Sequence, residues 1–420
     1  MVALAEIEAE FGLIPCQAAE QLAAVSQTIQ FDEAFLAEVR KGFEESNHSL
    51  LGLIRALQRR SPGSSGEWWC YGATVQDITD THMAQLLLKV QGALAEQLDT
   101  LVATLCELAL RYRDTPMCGR THGQPGLPIT AGFKFAGWLD ELYRHRQRIR
   151  EIGSRMNVGQ LAGGVGSLSS FGPDGLILQQ RFFNKLGLAA PNISWTASRD
   201  RLAEWLNLLT LITASADRIG HEIYNLQRPE IGEISEGFVA GNVGSITMPQ
   251  KRNPEISEHL GTLARSVRHH AAMMNENLVH DHERDGRSWK GEWAILPGAC
   301  LTSQKALSLL QTLLKNLQID AGRMHENLSS TNGFIHAEQI MLALTPSLGK
   351  QSAHALVYQV AMQASEQSIN FKAALLTNQQ VVSILGSDRI ERLCELQQTI
   401  GCCGQMVDRV VATVKSGLAD

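Results

Sequence analysis

The 420-residue sequence has no run of about 18 apolar residues, so no segment reads as a membrane-spanning helix. Its first residues, MVALAEIEAEFG, are acidic and amphipathic and lack the basic-then-apolar order of a secretory signal, so a cytoplasmic protein is expected. Basic charge is not in excess: 37 Lys and Arg against 43 Asp and Glu leave a net charge of −6. That excludes the usual basic nucleic-acid surface and requires any anionic ligand to be held by local groups. The 8 cysteines are scattered without CxxC spacing. Only Cys402 and Cys403 adjoin, and neighbours in sequence form only a strained disulfide, so free thiols are expected. Strand-like alternation rich in Val, Ile and Thr is nearly absent, and no internal repeat is visible.

What is present is helical periodicity. From 83 to 112, Leu86, Leu87, Val90, Leu94, Leu98, Leu101, Leu105 and Leu108 recur three and four positions apart, which is the stripe of a long helix. The same period returns at 203–228, 256–280 and 299–318. A chain of this length builds one large or two to three smaller domains, and these stripes predict an all-α fold dominated by a bundle of long helices. The expected division is 1–82, 83–335 and 336–420, with the long helices in the central segment.

Four polar, glycine-containing breaks interrupt the stripes, at 66–81, 119–132, 240–255 and 280–293. Loops between long helices are where chemistry is usually placed. In the third, Gly241 and Gly244 loosen the backbone, Ser245 supplies a hydroxyl, Lys251 a cation and Asn253 an amide, and Pro254 marks a helix start. Such a loop suits proton abstraction beside a carboxylate, where donors already in position stabilise the carbanion-like form. The second break puts Thr121, His122 and Gln124 before Pro125 and Pro128, so a histidine sits in a stiffened segment just ahead of a helix. An imidazole there can act as general acid. In the first break Thr74 and its neighbours precede a helix beginning near 77, a place to cap that helix or to bind a substrate carboxylate. The run His280-Asp281-His282-Glu283 offers metal-ligand types, but the i, i+2 spacing divides the histidines between helix faces. An ion-pair cluster of Glu283, Arg284 and Glu292, packed by Trp289 and Trp293, is the expectation there.

Together the breaks resemble the signature regions of the fumarase/aspartase superfamily, in the right order along the chain. GSITMPQKRNPE resembles the Gly-Ser-Ser-x-Met-Pro-x-Lys-x-Asn-Pro signature, YGATVQDITDT the Gly-x-Thr-Ser-x-Asp region, and RTHGQPGLPITAG the Thr-His-x-Gln region. HERDGRSWKGEWAILP and SWTASRDR resemble the 3-carboxy-cis,cis-muconate cycloisomerase branch, while NHSLLGLIRAL keeps a histidine, His48, where adenylosuccinate lyases have a substrate-contacting one. The resemblance implies three helical domains, the central one joining a twenty-helix core in a homotetramer with active sites shared between subunits. It implies Ser245 as the base and His122 as the acid. Thr74, Thr121, Gln124, Lys251, Asn253, His48, Arg199 and Arg284 would bind substrate, with neither metal nor organic cofactor. The implied partner is a small di- or tricarboxylate, and the implied reaction is anti β-elimination of fumarate from a substituted succinate with carbon–nitrogen cleavage. Carboxymuconate cycloisomerisation, nitrosuccinate cleavage and an inactive crystallin-like scaffold are the alternatives. Two departures stand out: Val75 and Ile246 replace family hydroxyls, and the chain starts inside what is normally the second helical segment.

Overall fold

The computed structural model describes residues 1–238, 241 and 244–419, with the backbone alone at 397, 398 and 419. Its helices in chain order are α1 (Val2–Glu10), α2 (Cys16–Thr28), α3 (Glu33–Ser46), α4 (Leu51–Arg60), α5 (Val75–Arg111), α6 (Ala131–Met156), α7 (Gly175–Leu186) and α8 (Asp200–Leu226). There follow α9 (Glu255–Glu276), α10 (Gly286–Lys315), α11 (Ala321–Ser329), α12 (Ala337–Leu348), α13 (Lys350–Glu366), α14 (Phe371–Thr377), α15 (Gln379–Leu385), α16 (Ser387–Leu393), α17 (Leu396–Thr399) and α18 (Cys403–Ala419). Among the described residues there are also two short antiparallel ribbons: β1 (Pro116–Thr121) with β2 (Gln124–Thr130), and β3 (Ile234–Ser235) with β4 (Gln318–Ile319). No helix among the described residues is long and apolar enough to cross a membrane.

The four expected helices exist, because each stripe is buried at its spacing. In α5, Leu94, Leu98, Leu101 and Leu105 are inaccessible to solvent, and in α8 so are Trp205, Leu209, Ile212, Ala216, Ile219 and Ile223. The boundaries differ. α10 begins 13 residues before the expected 299, so most of the fourth break is helix. Asp285 starts it: its carboxylate accepts from the Arg287 amide at 2.8 Å and its carbonyl from the Trp289 amide at 3.1 Å. Charge and glycine around 286–293 had hidden this amphipathic turn. The histidines His280 and His282 therefore lie in the loop ahead of α10 and not on helix faces.

The chain gathers into two compact units. The first comprises Met1–Ala95, Arg148–Thr210 and Ser266–Leu301. It is held by two apolar clusters, one in which Leu4 and Ile7 of α1 meet Phe171, Phe182 and Phe183, and one joining Ala5, Leu22, Phe35 and Trp69. The second comprises Glu96–Gln147, Leu211–Arg265 and Thr302–Asp420. Its C-terminal helices close over Ile340, Leu344, Val360, Phe371, Leu375 and Ile390, each worth about 1.5–3 kcal/mol of burial. All eight cysteines are free thiols.

Candidate active site

Thr121, His122 and Gln124 lie together in the second unit at the tip of a β-hairpin and not simply on a stiffened approach to a helix. Thr121 pairs with Gln124 across a two-residue turn in which His122 has φ 53° and Gly123 φ 76°, the mirror-image turn whose twist matches the strands. Pro125 and Pro128 are tolerated because β2 pairs on one side alone. All three polar side chains are exposed, so His122 is presented outward on a rigid ribbon.

In the same unit, Ser245, Lys251 and Asn253 share the loop that leads into α9. Ala240, Asn242 and Val243, the start of that break, lie outside the described residues. The Met248 amide donates to Ser245 Oγ at 3.1 Å, a dipole aimed where negative charge would sit on a deprotonated serine. Asn253 donates to the Gly244 carbonyl at 2.7 Å, closing the loop on itself. A Cβ at Gly244 would stand 2.7 Å from the Lys251 carbonyl oxygen, so the residue before Ser245 must be glycine for this closure. Lys251 is exposed and makes no ion pair among the described residues, and Ile246 is 96% exposed.

In the first unit, Thr74 and Arg284 meet. Thr74 caps α5, with its amide donating at 2.9 Å to Asp77, three residues on, in the manner of a capping box. Asp77 also accepts from the amides of Ala162 and Gly163 at 2.9 Å, and burial nevertheless pushes its carboxyl above the usual range. The Thr74 amide is thus spent inside the protein. What remains is the hydroxyl, which accepts from Arg284 Nη1 at 2.9 Å, while Arg284 Nη2 donates to the Gly164 carbonyl and Nε is buried with no partner among the described residues. The guanidinium is thus held against the threonine hydroxyl at the N-terminus of α5, where the helix dipole favours negative charge.

Two expectations change here. Arg199 has no N–H left to offer a ligand: all five are taken by Asp80, Glu292 and the Trp195 carbonyl, in a side chain that is fully buried. The anticipated cluster of Glu283, Arg284 and Glu292 does not form, because Glu292 belongs to Arg199 and Glu283 gives its carbonyl to Thr196. His48 is exposed and its Nδ1 accepts from the Leu51 amide at 3.2 Å, which starts α4. His280 is half-buried, and burial and the charge of Arg199 hold its imidazole below the usual range. Among the described residues no group of three or more His, Cys, Asp or Glu is placed to hold a metal ion.

Comparison with known proteins gives a consistent picture. A lyase family model matches residues 1–268, and a model of the adenylosuccinate lyase C-terminus matches 333–410. The chain is 39% identical over 410 residues to an N-acetyl-S-(2-succino)cysteine lyase of Enterococcus italicus, covering 98% of this chain and 89% of that one. It is 35% identical to an adenylosuccinate lyase of Methanothermobacter thermautotrophicus, covering 97% and 91%. The crystal structure of 3-carboxy-cis,cis-muconate lactonizing enzyme from Pseudomonas putida superposes with a TM-score of 0.90 at 31% identity, covering 99% and 92%.

Proposed function

The chain belongs to the fumarase/aspartase superfamily, an enzyme family of lyases and cycloisomerases, and on that premise we propose that it eliminates fumarate from a 2-substituted succinate, or catalyses the reverse addition. The observation that carries the reading is the Arg284 guanidinium resting on the Thr74 hydroxyl at the N-terminus of α5, a receptor for one carboxylate of a succinyl group. Ser245 takes the proton from the carbon beside the other carboxylate. The C–H electrons form the alkene, the heteroatom departs with its bonding pair, and His122 protonates it. Lys251 and the Ser245 loop stabilise the charge that builds on the carboxylate as the proton leaves. By the family resemblance, Thr121, Gln124, Asn253 and His48 are further substrate-binding groups.

The family resemblance implies a nitrogen leaving group, but the relative at 39% identity is named for a sulfur one. An S-succinyl thioether is therefore the first substrate to try and an N-succinyl amine the second. Catalysis belongs to a homotetramer whose active sites draw on three subunits, a reading supported by apolar side chains left exposed on the long helices: Leu211 of α8, Met273 of α9 and Leu301 of α10. The three-segment division of the chain goes with that assembly.

The test is ultraviolet detection of fumarate with both succinyl classes, beside loss of 3-carboxymuconate. Fumarate from either succinyl compound supports the elimination. Muconate loss alone selects the cycloisomerase, the second reading, whose lactonizing relative shares this fold at 31% identity.

A further inference from the structure

Between α8 and α9 the chain carries two carboxylates three residues apart, one on each side of β3, and each is spent on a different segment of the proposed site. Glu233 is fully buried. Its Oε1 accepts from Arg120 Nη2 at 2.7 Å and from Asn327 at 2.8 Å, and its Oε2 from Arg120 Nη1 at 2.8 Å. Arg120 directly precedes Thr121, the last residue of β1, so this forked pair fixes the hairpin directly beneath its tip. The backbone of Glu233 is tied as well, its amide to the Leu226 carbonyl at 3.1 Å and its carbonyl to the Asp320 amide at 3.0 Å.

Glu236 does the corresponding work for the Ser245 loop. Helix α9 begins at Glu255, so Pro254 stands at its N-cap and has no side-chain oxygen to offer the first free amides. Glu236 supplies that oxygen from across the loop. Its carboxylate accepts from the Ile256 amide at 3.2 Å, and from the Ser257 amide and hydroxyl at 2.7 Å each. An anion at a helix N-terminus is favourable in itself. Here it also pins together the two ends of the loop that holds Ser245. Gln227 adds a second tie, accepting from the Glu236 amide at 3.0 Å and donating to the Arg252 carbonyl at 3.1 Å. Residues 237–255 lie between these two ends, and closing the base of so long a loop reduces the entropy cost of bringing Ser245 to one place.

We propose that Glu233 and Glu236 are positioning residues, with β3 as a common mount from which one carboxylate holds the hairpin of His122 and the other clasps the loop of Ser245. Neither touches substrate. The proposal rests on the reading of Ser245 and His122 as the proton-transfer groups, and the two are tested separately.

The experiment is hydrogen–deuterium exchange and steady-state kinetics on the full chain with Glu236→Ala and Glu233→Gln. Glu236→Ala should speed exchange of the amides from 244 to 257 by about tenfold or more and leave 116–130 protected, and Glu233→Gln should do the reverse. Each should lower kcat about 10- to 100-fold, with KM and elution volume near those of the parent, because a displaced proton-transfer group slows chemistry without removing a binding contact. Glu236→Gln keeps one acceptor oxygen for α9 and should recover part of the loss. Exchange that rises equally in both segments, or in neither, overturns the proposal, and so does faster exchange with full kcat. If the parent turns over no succinyl compound and no carboxymuconate, the functional reading falls, while the exchange pattern still decides whether these carboxylates hold the two segments.

Discussion

Arg199 grips Glu292 through two parallel hydrogen bonds, Nε to Oε1 at 2.7 Å and Nη2 to Oε2 at 2.6 Å, with Asp80 closing the other edge of the guanidinium at 2.7 and 3.0 Å. The cation also lies 4.7 Å from the Trp195 ring centroid. Removing the arginine leaves two buried carboxylates unpaired, so Arg199→Met is expected to cost about 3–5 kcal/mol in urea unfolding. Combining it with Asp80→Leu and Glu292→Leu should recover most of that. A loss below about 1 kcal/mol in the single variant would contradict a structural role for the triad.

Arg284 is the opposite case, an arginine with donors to spare. Arg284→Met should raise KM for a succinyl substrate about 10- to 100-fold, the worth of one or two charged hydrogen bonds, with a smaller change in kcat. Thr74→Val should raise it by only about 3- to 10-fold. Unchanged KM in Arg284→Met would remove this residue from the carboxylate site.

Ser245→Ala should lower kcat by about 10²–10⁴-fold while far-ultraviolet circular dichroism and elution volume stay at parent values. Turnover retained in the alanine variant would exclude Ser245 as the base.

His122→Asn should depend on the leaving group. A thiol ionises near pH 8.5 and can depart as thiolate, whereas an amine needs its proton before the bond breaks. The loss should reach about 10²–10³-fold for an N-succinyl amine and be much smaller for an S-succinyl thioether. Equal losses for both would argue that His122 does not protonate the leaving atom.

Glu8 in α1 is fully buried, and among the described residues neither carboxylate oxygen has a hydrogen-bond partner. Burial pushes its carboxyl up to about 8, with the Met1 amino group pulling the other way. In the unfolded chain the same group ionises near pH 4.3, so above that pH the unfolded state binds fewer protons than the folded one. The contribution is fully present below about pH 4.3 and is lost as pH rises through about 8. Glu8→Met removes this dependence, and its advantage over the parent should grow by up to about 1.4 kcal/mol per pH unit across that window, read from urea midpoints. A difference between the two that does not vary with pH would refute the assignment.

Much of the fold was legible in the chain because its signals are local. A stripe such as Leu94, Leu98, Leu101 and Leu105 specifies a helix and its buried face within a few turns, since 3.6-residue periodicity is a property of the segment itself. The grouping of Ser245 with Lys251 and Asn253, or of Thr121 with His122 and Gln124, was likewise visible because each set spans a dozen residues or fewer. The hairpin was less visible, because two prolines and a left-handed histidine do not look like a strand and turn until β1 is there to pair with. The partners of the charged groups could not be read from the sequence at all. Arg199 lies 119 residues from Asp80 and 93 from Glu292, and Arg284 lies 210 residues from Thr74. Sequence decided which side chains the chain offers and on which elements. Only tertiary packing decided that one arginine would be consumed by the scaffold and the other left with a donor free, because burial and charge pairing depend on which helices converge and not on neighbours along the chain.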